Sequence, residues 1–209
     1  MGHKLEAVIG AGRPQPEPNE RVRARTYQVL LNAAMEHIAH DGHVPSVAEM
    51  AARAQVSRAT AYRYFPSRSK LITAVVDHSL GPVRSWTSRE RDGRARVLQL
   101  FEQTFPRFRQ FEPQMRAAVQ LSLEQWGLQR AGILNEEPYH RGHRRKLLRH
   151  ALRPLERELS RPALDRLTKA LSVVYGIEFY IVLKDIWGCT DDEVEAIALW
   201  AVAALVDAA

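Results

Sequence analysis

Apolar residues recur at helical spacing along almost the whole chain, and no stretch alternates in the manner of a strand. Tyr27, Leu30, Leu31, Ala34 and Ile38 form the first stripe. Asn19 is placed to cap that helix, and Asp41-Gly42 to end it. A second helix begins at Ser46, with Glu49 three residues on as a capping box and Val47, Met50, Ala51 and Ala54 on one face. Gln55-Val56-Ser57 interrupts the pattern. Ser57 then caps a seven-residue segment, Arg58–Tyr64, and Val56 can staple onto Ala61. Pro66 biases Phe65 out of the helical region, and Ser67 caps a further helix through Leu71, Ile72 and Val75. Beyond Trp86 the spacing stays helical. Leu98, Phe101, Phe105 and Phe108 share a face within 97–111, and Met115, Val119, Leu123 and Trp126 mark the next helix. A loop over 132–142 holds Pro138. Leu147, Leu148, Ala151, Leu152 and Leu155 mark a helix bent or broken at Pro154. One long apolar helix is predicted over 163–187, and a last one opens at Thr190 with Asp191, Asp192 and Glu193 at the positive end of its dipole. The fold class is therefore all-α, without internal repeats.

Breaker residues divide this pattern. Residues 1–18 contain Gly2, Gly10, Gly12, Pro14, Pro16 and Pro18 and no periodicity, which predicts a mobile arm. Its Lys4 and Arg13 suit either a minor-groove contact or a plain tail. Gly81-Pro82 marks a boundary, giving a unit over 19–80 and a larger one over 81–209. A chain of 209 residues buries roughly 70% of its unfolded surface and needs no disulfide or metal staple. Cys189 is the only cysteine, so no intrachain disulfide can form, and a reducing cytoplasm fits. No apolar run approaches the roughly 20 residues of a membrane span, and no signal peptide is evident, so no membrane partner is expected.

Charge sharpens the picture. The net charge is +6 and the pI about 9.8. Residues 1–80 carry 10 Lys and Arg against 7 Asp and Glu, and residues 81–209 carry 20 against 17, so each part has the same excess of +3. Net charge does not locate a polyanion site. A window without carboxylates does. Residues 50–76 hold no Asp or Glu but include Arg53, Arg58, Arg63, Arg68 and Lys70. A seven-residue helix is too short to stand alone, and a short capped helix held by its neighbours is how a helix-turn-helix presents a probe to the major groove.

The run Val56-Ser57-Arg58-Ala59-Thr60-Ala61-Tyr62-Arg63-Tyr64-Phe65-Pro66-Ser67-Arg68, followed by Leu71, resembles the TetR (tetracycline-repressor) family of bacterial transcription regulators over about residues 19–80. Two positions depart from the family pattern. Gln55 stands where the family usually has Gly, at a turn that often needs positive φ, and Arg68 stands in place of Lys. The resemblance implies a homodimer bound to a palindromic double-stranded DNA operator and released by a small-molecule effector. A repressor is the commonest mode, and an activator stays open. Arg58 and Arg63 suit base edges, since Arg reads guanine bidentately, and Ala59 suits a thymine methyl. Ser46, Thr60, Tyr62, Tyr64 and Arg68 would position phosphates, and Ser57, the cap of the Arg58–Tyr64 helix, belongs to the same DNA-binding set.

The remaining candidates lie in the larger unit. Phe101, Phe105, Trp126, Tyr175 and Phe179, with Glu178 as a polar anchor, read either as an effector pocket or as plain core in which Glu178 is paired with a neighbouring His, Arg or Tyr. Gly176, Val194, Ile197, Ala201, Ala204 and Leu205 are the dimerisation candidates, because the resemblance implies that the last two helices meet their counterparts from a second subunit. Arg141, Arg145, Arg149, Arg153 and Arg157 repeat every four residues, as a solvated ridge or an attractor of acidic partners. His140, His143 and Glu136 lack a second ligand pair with metal-site spacing, so no metal or other cofactor is expected. The chain offers no HExxH, GxSxG, phosphate-cradling glycine loop or paired carboxylates, and is not expected to be an enzyme. The competing reading is a helical enzyme, carrier or protein-interaction module whose hairpin only resembles a DNA reader.

Overall fold

The computed structural model describes residues 18–209; the predicted arm, with Lys4 and Arg13, lies outside the described residues, except that Pro18 opens the first helix. Ten α-helices and no strand occur among the described residues. They are α1 (Pro18–Asp41), α2 (Val47–Arg53), α3 (Arg58–Tyr64), α4 (Arg68–Leu80), α5 (Gly93–Gln110), α6 (Glu112–Arg130), α7 (His143–Ala151), α8 (Arg161–Val174), α9 (Ile177–Trp187) and α10 (Asp191–Asp207). Short 3₁₀ turns follow α4 and α7.

The first four helices are set by their ends. Gly42, with φ of +75°, closes α1. Ser46 and Glu49 exchange both capping-box bonds at α2, at 2.8 and 3.1 Å. Ser57 and Ser67 cap α3 and α4 by accepting from the N–H groups of Thr60 and Lys70. Each cap satisfies an N–H that the helix itself cannot, which typically contributes about 1 kcal/mol. Gln55, in the turn between α2 and α3, keeps a φ of +54° although it carries a side chain. The turn needs the left-handed conformation, and Gln accepts the steric cost that Gly would avoid. Leu30, Ile38, Met50, Ala61, Leu71 and Ile72 meet in the core beneath these helices.

The remaining helices surround an aromatic cluster. Phe101 stacks on Phe105, Phe105 meets Phe108 edge-on, and Tyr175 stands edge-on to Phe101 at 5.0 Å. The buried Tyr175 hydroxyl and Thr104 share a 2.8 Å hydrogen bond. α4 and α1 pack on α6, where buried Gln114 donates to the Met35 carbonyl.

Three expectations change. The single helix over 163–187 is two, because Tyr175 and Gly176 leave helical conformation at the bend (ψ of 77° and 160°). The Tyr175–Thr104 bond and the close passage of the Gly176 backbone beside Arg144 accompany that break. On α6 the buried face runs through Gln114, Met115, Ala118, Leu121 and Gln125, leaving Leu123 and Trp126 in solvent. Two buried amides, each hydrogen-bonded, disguised the true face. The five-arginine ridge does not exist as one ridge: only Arg145 and Arg149 lie within α7, while Arg141 precedes it and Arg153 and Arg157 belong to the following turn.

Candidate nucleic-acid interface

The seven residues of α3 divide cleanly. Ala61 is buried, as is Phe65 just beyond the helix. Arg58, Ala59, Tyr62 and Arg63 share the opposite, exposed face. Tyr64 is half-buried against Tyr27 of α1, with Arg63 above its ring at 5.5 Å. Ser57 is exposed, and Thr60 receives the Ser57 hydroxyl at 2.9 Å. The Ser46 hydroxyl is engaged in its cap. The structure thus brings Arg58, Ala59, Tyr62 and Arg63 onto one accessible face, with Ser57 and Thr60 at its N-terminal edge.

Electrostatics separates the five cations of the carboxylate-free window. Arg68 forms a two-pronged pair with Glu124 of α6, at 2.7 and 3.0 Å. Lys70 pairs with Glu137 at 3.0 Å, and Arg53 lies 3.9 Å from Asp41. Among the described residues Arg58 and Arg63 make no ion pair. A stretch lacking acids in sequence is therefore partly neutralised in space by acids from elsewhere. The two arginines left uncompensated are the two chosen for base edges. Arg68 differs from its expected role: its fork is spent on Glu124, and its Nε is buried without a partner.

Sequence reasoning missed what holds α4 from the other side. Glu136 accepts from the Arg68 N–H at 3.0 Å and from the Gln125 amide at 2.9 Å. Gln125 also donates to Ser69 and accepts from the Tyr139 N–H at 2.7 Å. The loop before α7 thereby grips the first turn of α4, directly after α3. No local pattern marks these partners, because they lie 11 to 68 residues apart.

The loop's far end reaches a cavity of about 80 Å³ lined by Val76, Leu80, Phe108, Met115, Leu147 and Ile177, with Tyr175, Arg141, His143 and Arg144 also in its wall. Of the predicted pocket residues only Tyr175 lines it. Phe101 and Phe105 are buried in the core, Phe179 is half-buried, and Trp126 stands 65% exposed. Glu178 pairs with both Arg141 and Arg144. Burial pushes the Glu178 carboxyl up, but Arg144 and Arg141 outweigh it and hold the group below the ordinary carboxylate range. The paired alternative for Glu178 is the one realised. Among the described residues no group of three or more His, Cys, Asp and Glu could hold a metal ion, and no helix is long and apolar enough to cross a membrane.

The dimerisation candidates divide as well. Val194 is fully buried within the protomer, and Gly176 is covered by Arg144 and Glu178. Neither is available to a second chain. Ile197, Ala201 and Leu205 are half-buried, and Ala204 is exposed. The larger apolar surface exposed among the described residues lies outside that set, at Val173, Val182, Ile186, Trp187 and Trp200.

Two short helices joined by a four-residue turn, the second presenting uncompensated arginines, define a helix-turn-helix DNA-binding protein. Residues 30–75 match the family model described as bacterial regulatory proteins, tetR family, so this part of the chain is a TetR-type helix-turn-helix and the protein is a DNA-binding transcriptional regulator. No curated protein matches it.

Proposed function

We propose that this regulator is a homodimeric repressor that reads a palindromic operator and leaves it when a small molecule enters the cavity beside α7. The observation carrying the DNA part is the pair Arg58 and Arg63, exposed on α3 without a carboxylate partner among the described residues. Arg58 and Arg63 address base edges, Ala59 a thymine methyl, and Ser57, Thr60 and Tyr62 the flanking phosphates. The DNA-binding unit runs over 19–80 and the regulatory unit over 81–209. The protein works in the cytoplasm and not as an enzyme.

Dimerisation is supported by the apolar surface of α9 and α10, where Ile186, Trp187 and Trp200 are each more than 70% exposed. Two recognition helices about 34 Å apart would then enter successive major grooves on one face of the duplex. Operator fragments recovered from genomic DNA provide the test. Anisotropy titrations at two salt concentrations should show a steep salt slope on random duplex and tighter binding to the recovered fragment. A flat salt slope would dismiss the DNA reading. Ile186→Arg should yield a monomer in light scattering and lose the operator; a wild-type protein monomeric at micromolar concentration would dismiss the dimer.

A further inference from the structure

We infer that the cavity beside α7 takes a short aliphatic carboxylate, whose acid group replaces Glu178 on Arg141 and Arg144 while its chain fills the apolar end. This rests on reading the cavity as the effector site. The wall joins apolar side chains, Val76, Leu80, Phe108, Met115, Leu147 and Ile177, to the cationic Arg141 and Arg144. Arg144 gives Glu178 two bonds, at 2.7 and 2.9 Å, and Arg141 gives a third. Two guanidiniums therefore face one carboxylate. The first turn of α9, which carries Glu178, adds the positive end of a helix dipole.

The other titratable groups nearby leave that excess standing. Asp77 and Arg84 pair with each other at 2.6 Å. Burial, helped by Arg84, pushes the His143 imidazole toward its neutral form. Burial likewise keeps the Tyr139 and Tyr175 hydroxyls protonated. One unit of positive charge remains at the mouth of an apolar cavity. Glu178 is an internal carboxylate already seated there, and its side chain is 40% exposed, so it can swing into water when displaced. Gly176 makes the seat possible. A Cβ there would lie 2.6 Å from a Glu178 oxygen and 2.7 Å from an Arg144 nitrogen.

Volume restricts the chain. An engineered cavity of about 150 Å³ admits the six carbons of benzene, so roughly half that volume suits an aliphatic tail of about three carbons. A carboxylate is selected over a neutral polar group because two guanidiniums reach both of its oxygens with charge-assisted bonds.

Butanoate and butanamide are the probes, titrated calorimetrically into the full-length protein and into Glu178→Gln and Arg144→Met, with folding checked by circular dichroism. Butanoate should bind and the amide should not. Glu178→Gln, which leaves the arginines unopposed, should bind butanoate at least tenfold more tightly. Arg144→Met should lose it; should that variant unfold, Arg141→Met takes its place. Equal affinity for acid and amide, unchanged affinity in Glu178→Gln, or no binding of butanoate to any form would overturn the proposal. The effector reading is separated by repeating the titration on the operator complex. Butanoate that binds without weakening DNA leaves the carboxylate site standing and removes the effector role. An amide that releases DNA as well as the acid does keeps the effector role and removes the carboxylate.

Discussion

Helices α1–α4 and helices α5–α10 draw on local and distant bonds in different proportion. In the first group each short helix is fastened at its end by a neighbour within three residues: Ser46 with Glu49, Ser57 with Thr60, Ser67 with Lys70. In the second, Asp92, Ser160 and Thr190 cap α5, α8 and α10 in the same way, but the bonds that tie one helix to another come from afar: Thr104 with Tyr175, Arg116 with Asp185, Arg144 with Glu178. Local fastening fixes the ends of short helices that could not stand alone. Distant pairing makes a body whose parts can be rearranged only together, which suits a unit whose shape is to be read out elsewhere.

The sharpest way to break this contrast is to hollow the aromatic cluster. Phe101→Ala should cost about 3–5 kcal/mol, since the ring is fully buried between Phe105 and Tyr175. Chemical denaturation measures it. A loss below about 1 kcal/mol would mean that packing is not what holds the larger unit.

Next in size is an effect on binding alone. Arg58→Ala should weaken operator binding by about 1–3 kcal/mol and relax preference at one base pair, with unfolding unchanged. An equal loss on operator and random duplex would make Arg58 a phosphate contact instead.

On the capped side, Ser57→Ala should destabilise by about 1 kcal/mol, from the lost bond to the Thr60 N–H. Gln55→Gly should act in the opposite direction, adding about 0.5–1 kcal/mol by relieving the φ of +54°. Thermal melts distinguish the two signs, and a destabilised Gln55→Gly would show that the side chain is worth more than the strain.

The smallest effect joins the two regions. The hydrogen bond from Arg68 holds the Glu124 carboxyl below its ordinary range. A carboxyl depressed by folding stabilises above its unfolded pKa of roughly 4.3, and that contribution is lost as pH falls through the folded value. Melting temperature should therefore drop on acidification below about pH 4.5. Glu124→Gln should remove part of that drop, so that the two curves converge in acid. The pair is partly exposed, so the difference will be small.

The same contrast explains what could be read from the chain. The caps at Ser46 and Ser57, the break at Pro66 and the exposed arginines of α3 are local signals, and all appear where the spacing put them. The bend at Tyr175-Gly176 depends on Thr104 and Arg144, 71 and 32 residues away, and left no local trace. Gln125 misled the reading of α6 because a buried amide looks like a surface residue until Ser69, Glu136 and Tyr139 are seen around it. The division of the cations is likewise spatial: Arg68 and Lys70 share the carboxylate-free window with Arg58, but on α4 they have Glu124 and Glu137 within reach.

The tryptophans provide an optical consequence. Trp86 is 7% exposed and lies edge-on to His150, whereas Trp126, Trp187 and Trp200 are 65%, 74% and 72% exposed. Three of the four indoles of an isolated protomer therefore emit from water, and its fluorescence should lie toward the red. Pairing through α9 and α10 would dry Trp187 and Trp200 together and leave Trp126 wet. Intrinsic emission then becomes a concentration-dependent ruler of assembly that requires no label, with Trp126 as its built-in reference.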